Sequence, residues 1–323
     1  MEGTVENKEV SWKVLDIEIS GTITGPKDAR SGVVFVAGSG PTDRNWCSPL
    51  LPGTNGSGRL LAEELAREGL LTLRYDKMAS GPHVRENLAK FSGKGSMETH
   101  MEELQGATEA LLVEKEIANL FVLTNSEGAI HAVNYELQNN RFKGLVLTGA
   151  PGRSIGDVSR SQIAAQAKAL PDPEKFMELY DKAIAEFMAG KPITIDPALP
   201  DPVKPFLRSL ENPTNLPFSR ELWAYNLPDH ITKVQKPITV IIGKKDIQID
   251  WKMDGEPLER ATAQNLDASF AYPENANHVL KHEELPREKL TAEYVGAHYN
   301  APDAVLDREV VDWIVHWLKE QSN

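Results

Sequence analysis

Six short apolar runs, most of them separated by stretches with helical spacing, restrict what this chain can fold into more than any other feature. They are Gly32-Val33-Val34-Phe35-Val36-Ala37 and residues 70–75, 119–124, 142–148, 237–243 and 268–272. A continuous apolar run too short for a helix suits a strand covered on both faces. Helical patterns fill the gaps at 60–68, through Leu61, Leu65 and Ala66, at 97–113, through Leu104 and Leu111, and at 127–137. In the second of these, Glu102 and Glu103 are expected to face away from the apolar side. The strand-helix-strand rhythm predicts a mostly parallel sheet with right-handed crossovers. Residues 10–24 alternate instead, with Val14, Ile17 and Ile19, and read as a long strand or a hairpin at the sheet edge.

The rhythm stops between about 153 and 234. Helical patterns at 161–169, 171–188 and 202–210 are separated by proline-rich turns, and an aromatic patch with Trp223 and Tyr225 follows. Because the sheet pattern resumes at 237, this stretch reads as a helical insertion. The expected organisation is a core of 1–152 and 235–323 with an insertion at 153–234, which a length of 323 residues permits. An amphipathic helix over 308–320, with Val311, Ile314, Val315 and Leu318 on one side, closes the chain.

A formal net charge of −12 argues against nucleic acid as a partner. Residues 1–9 are polar and acidic, unlike a signal peptide, and no segment is apolar for long enough to insert into a membrane. One cysteine, Cys47, excludes an internal disulfide and a multi-cysteine zinc site, and has no evident base nearby. A cytoplasmic location is expected. Gly38-Ser39-Gly40 lacks dinucleotide-fingerprint spacing, no Gly-Lys-Ser/Thr phosphate loop occurs, and no histidine pair has metal-ligand spacing. Neither cofactor nor metal is expected. The edge strand and closing helix suit either a homodimer or a monomer surface.

Chemistry concentrates at the ends of the apolar runs. Phe121-Val122-Leu123-Thr124-Asn125-Ser126-Glu127-Gly128-Ala129-Ile130-His131 reads as strand, tight turn and helix, with Ser126 on the turn and small residues after it. A serine hydroxyl needs a base held in one tautomer. His278 follows the last run and is the candidate base; Asp246 follows the run at 237–243 and is the candidate orienter, with Asp250 a weaker substitute. All three lie at carboxyl ends of expected strands, where open α/β sheets place their crevice. The oxyanion would be held by the Glu127 amide and one from the Gly38-Ser39-Gly40 loop, Ser39 first and Gly40 second.

Five segments carry a resemblance: Val36-Ala37-Gly38-Ser39-Gly40-Pro41-Thr42-Asp43-Arg44, Leu73-Arg74-Tyr75-Asp76-Lys77, the Ser126 turn, Gly243-Lys244-Lys245-Asp246 and Asn277-His278-Val279-Leu280-Lys281. In these the chain resembles an α/β-hydrolase, specifically a capped esterase or serine-aminopeptidase-like, dienelactone-hydrolase-related member. The resemblance implies a mostly parallel central sheet flanked by helices with a helical cap, and a Ser126–His278–Asp246 triad acting on acyl carbonyls. Three departures stand out: Thr124 where the turn pattern has glycine, Asn125 where histidine is frequent, and Met78-Ala79 where relatives often have Arg-Gly. The expected activity is hydrolysis of small to medium carboxylic esters, with Trp46, Met78 and Trp223 lining the substrate pocket. The alternatives are an amide or peptide hydrolase or acyltransferase with the same triad, and a non-catalytic binding protein on the same fold. Glu174, Glu178 and Glu186 are candidates to recognise a free peptide amine.

Overall fold

The computed structural model describes residues 5–114 and 116–323. The 10–24 pattern is a hairpin, β1 (Glu6–Val14) and β2 (Ile17–Gly25), turning at Leu15 with φ +54°. β3 (Ser31–Val36), α1 (Ser57–Arg67), β4 (Leu71–Tyr75), α2 (Val84–Phe91), α3 (Met97–Glu114), β5 (Asn119–Asn125), α4 (Gly128–Asn139) and β6 (Gly144–Thr148) follow. After five helices come β7 (Ile238–Ile241), α10 (Gly255–Ala261), β8 (Ala268–Ala271), α11 (Ala292–His298) and α12 (Arg308–Ser322). The eight strands form one sheet in the order β1-β2-β4-β3-β5-β6-β7-β8, antiparallel at β1–β2 and β2–β4 and parallel from β4 to β8.

Successive strand residues supply opposite faces, so each apolar run feeds two cores. Val34, Val36, Val122, Leu145 and Val240 join one cluster, with Leu104 and Leu111 of α3 and Ile130 of α4. Val33, Phe35, Phe121, Leu123 and Val146 join the other, with Leu61 and Leu65 of α1 and Ile314 and Leu318 of α12. One expectation about α3 fails here: Glu103 is buried rather than facing solvent, because it accepts from the Met78 amide and pairs with His100.

The five helices between β6 and β7 are α5 (Ile155–Ala167), α6 (Pro173–Met188), α7 (Val203–Leu210), α8 (Phe218–Ala224) and α9 (Pro228–Ile231). α5 starts earlier than its apolar spacing suggests, because Ser154 caps it by accepting from the Asp157 amide. Phe176, Tyr180, Phe187, Leu207 and Trp223 form a separate apolar cluster within this segment. Arg153 and Asp254 tie it to the sheet end with two hydrogen bonds, at 3.0 and 2.8 Å, and Tyr225 reaches Asn134 on α4 at 2.6 Å. Helix α2 and the stretch 279–307 containing α11 carry no clear periodic pattern in the sequence. The latter docks on the loop after β3, where Asn55 donates to the carbonyls of Ala301 and Ala304. Among the described residues no helix is long and apolar enough to cross a membrane.

Candidate active site

β5 delivers its last residues to the middle of the carboxyl edge, between β3 and β6. Ser126 then takes φ +53°, a left-handed conformation that a non-glycine residue adopts only when the surroundings enforce it. Enforcement comes from both sides. The Ser126 amide donates to the Thr148 carbonyl at 2.8 Å, and α4 leaves so close to β3 that a Cβ on Gly128 would lie 2.5 Å from the Val36 carbonyl oxygen. Thr124 does not crowd the turn. It lies within regular β5, fully buried, and its carbonyl accepts from Thr148 Oγ1 at 2.6 Å.

The structure brings His278 and Asp246 together. His278 Nδ1 lies 2.7 Å from Asp246 Oδ2, and both side chains are buried. Asp246 Oδ1 is occupied by the amides of Gln248 and Ile249, at 2.7 and 2.9 Å. The tautomer that makes this bond to a carboxylate, which only accepts, is the one with its ring proton on Nδ1, and in that tautomer Nε2 is the acceptor. Asp250 is committed elsewhere, with one oxygen on the Lys252 and Met253 amides and the other 2.8 Å from Arg287.

Asn125 joins this pair to the serine turn. Its Nδ2 donates to the His278 carbonyl at 2.9 Å, and a Cβ on Gly149 would meet the His278 ring at 3.2 Å. The imidazole therefore sits beside the residue that precedes Ser126. Among the described residues Ser126 Oγ has no hydrogen-bond partner. In the sequence Asn125 is only a departure from a frequent histidine; its role as a tether depends on a partner 153 positions away.

The loop after β3 approaches from the other side. A Cβ on Gly38 would lie 3.3 Å from Ser126 Cβ. The loop is held internally by Thr42, whose Oγ1 donates to the Ser39 carbonyl at 2.8 Å, and by Asp43, which accepts from the Asn45 and Cys47 amides. Externally, the Arg44 guanidinium donates to Asp76 at 2.9 and 2.6 Å. Among the described residues the amides of Ser39, Gly40 and Glu127 donate to no protein acceptor. Cys47 is buried behind this loop, and burial pushes its thiol up to about 11, unlike a thiolate nucleophile.

The three residues expected to line a pocket pack into three different apolar clusters. Trp46 packs on Phe35 in one sheet-face core, Met78 lies in the opposite core, and Trp223 packs against Phe187 and Phe206 in the α5–α9 cluster. Each large apolar side chain is satisfied by its nearest layer. A cavity of about 1120 Å³ instead opens beside the Asp246 loop, between α5 and residues 287–299. Gln162, Ala165, Ile247, Gln248, Leu290 and Tyr299 are among its walls. Gln248 stands at their junction: its carbonyl accepts from Gln162 at 3.0 Å and its Nε2 donates to Tyr299 at 3.1 Å.

No protein-family model matches the sequence, and no curated protein matches it. Solved structures do share the shape. An esterase from Pyrococcus furiosus has a TM-score of 0.58 at 17% identity, over 99% of this chain and 92% of that one. A proline iminopeptidase from Mycobacterium smegmatis has a TM-score of 0.57 at 15% identity, over 97% and 98%. A thermophilic esterase from Thermogutta terrifontis has a TM-score of 0.56 at 17% identity, over 98% and 100%. With its sheet order and these likenesses, the chain is a protein of the α/β-hydrolase fold.

Proposed function

We propose that this protein is a serine hydrolase acting on small to medium carboxylic esters. The observation that carries the reading is the buried Asp246–His278 hydrogen bond, tethered through Asn125 to a serine held at positive φ. The esterases among the structural neighbours support the same reading. His278 Nε2 takes the Ser126 proton as Oγ attacks the acyl carbonyl, a contact that tightens once substrate is bound. The tetrahedral oxyanion is held by the amides of Glu127 and Ser39, with Gly40 as the alternative to Ser39. Protonated His278 then gives its proton to the departing alcohol. Water activated by the same ring releases the acid from Ser126.

Residues 153–234 act as a cap over this edge, and the remote part of the substrate occupies the cavity between α5 and residues 287–299. The iminopeptidase likeness favours amide hydrolysis as a second reading. Against it, the candidate amine-binding carboxylates are engaged locally: Glu178 pairs with Lys175 and Glu186 accepts from the Thr194 amide. Glu174 is exposed in the first turn of α6.

A fluorophosphonate should label the wild-type protein and leave Ser126→Ala unlabelled. Equal labelling of both removes Ser126 from the nucleophile's role, and labelling of neither favours a binding protein. Parallel assays with short p-nitrophenyl esters and aminoacyl amides decide between the two hydrolases; faster Ser126-dependent turnover of the amides overturns the esterase reading.

A further inference from the structure

The chemistry above uses two backbone amides and none of the charged side chains behind them. Lys77 and Glu127 are 4% and 2% exposed, and their Nζ and Oε1 atoms lie 3.5 Å apart. Lys77 Nζ also donates to the Gly38 carbonyl at 2.5 Å. Behind them, Glu127 Oε1 lies 3.2 Å from His131 Nε2, and the His131 ring packs on His100 with centroids 4.7 Å apart. His100 Nδ1 meets Glu103 Oε2 at 2.7 Å, and Glu103 Oε1 accepts from the Met78 amide. The chain of contacts thus returns to the residue after Lys77. A charge in such a place costs several kcal/mol in desolvation unless it is paired, so neither member can swing away.

We propose that Lys77, with Glu127 as its counter-ion, is the positioning residue of the oxyanion hole. It holds the Gly38 carbonyl and thereby aims the Ser39 N–H. Among the described residues the only cis peptide bond is Leu216–Pro217, so the Gly38–Ser39 bond is trans. In a trans peptide the C=O and the following N–H lie in one plane and point in opposite directions. Drawing the Gly38 oxygen inward toward Lys77 turns the Ser39 N–H outward, and the Gly38 Cα lies beside Ser126, where a Cβ would be 3.3 Å from Ser126 Cβ. Glycine has no Cβ to restrict rotation of that plane, so the orientation must be imposed from outside. The same ion pair fixes the second donor, because the Glu127 amide belongs to the residue that anchors Lys77.

This inference rests on the serine-hydrolase reading, and its test keeps the two apart. The variants are Lys77→Met with Glu127→Gln, which removes both charges together, and Lys77→Gln, which keeps a shorter, neutral donor. With p-nitrophenyl butyrate, the double variant should lose kcat on the order of 10²-fold, comparable to loss of one oxyanion donor, with KM little changed. Its thermal midpoint should stay near that of the wild type, because no charge is left unpaired. Lys77→Gln should show a smaller loss, again in kcat alone. If the double variant is well folded with wild-type kcat, the pair only stabilises the fold and the inference falls. If the double variant does not fold, an unchanged kcat in Lys77→Gln overturns it equally. Turnover that survives Ser126→Ala, or no Ser126-dependent turnover at all, removes the hydrolase reading and this inference together.

Discussion

Replacing Asp246 with asparagine tests the triad more sharply than removing the side chain, because the surroundings dictate how the new amide must lie. Oδ1 of Asp246 accepts two backbone amides, from Gln248 and Ile249, at 2.7 and 2.9 Å. An amide NH2 group aimed at those donors would leave both buried N–H groups unpaired, at about 1–3 kcal/mol each. The asparagine oxygen therefore takes that position, and its NH2 group faces His278 Nδ1. The ring must then accept at Nδ1 and carry its proton on Nε2, the tautomer that cannot take the Ser126 proton. The comparable change in a serine protease lowers kcat about 10⁴-fold, and a loss of that order is expected here. Folding should be little affected, since the two backbone contacts persist. The assay is kcat for p-nitrophenyl butyrate against pH, with circular dichroism and urea unfolding as controls for structure. Asp250→Asn, whose parent is paired with Arg287, should keep close to wild-type kcat. A loss under about tenfold in Asp246→Asn, against the expected 10⁴, would refute the tautomer argument. A large loss in Asp250→Asn would move the acid's role to that residue.

Thr124→Gly restores the glycine of the usual turn pattern, yet it should destabilise by about 2 kcal/mol, through strand entropy and a small void, and leave kcat no higher; urea unfolding and ester turnover check both. Gly128→Ala puts a methyl 2.5 Å from the Val36 carbonyl oxygen and should cost about 1–3 kcal/mol by the same measurement. Burial alone would raise the Glu127 pKa, but Lys77 and His131 outweigh it and hold it well below its usual 4.5. With the folded value depressed, its contribution is complete above about 4.5 and is lost as pH falls toward the folded value. Urea midpoints at pH 7 and pH 4 should therefore converge more in Glu127→Gln than in wild type; equal slopes would deny the charge its role. Cys47 should resist a thiol reagent in the native protein and react fully in urea, being buried with its thiol pushed up to about 11.

Local pattern determined much of this protein. The continuous apolar runs required a sheet covered on both faces, and the alternation of Val33 and Phe35 with Val34 and Val36 between two cores is that requirement made visible. Strand ends also marked where Ser126, Asp246 and His278 would stand, since a parallel sheet delivers all its carboxyl ends to one edge. Only the tertiary structure decided which polar groups meet. Asp246 rather than Asp250 reaches His278, Asn125 ties the histidine loop to the serine turn, and Glu103 turns inward to the Met78 amide. Trp46, Met78 and Trp223 went to three separate cores, while the cavity formed against residues 287–299, whose short helix leaves almost no periodic trace. The reason is one of range. Burial of an apolar side chain depends on its own spacing along the chain, but these hydrogen bonds depend on partners 25 and 153 positions away, brought within 3 Å by the whole fold.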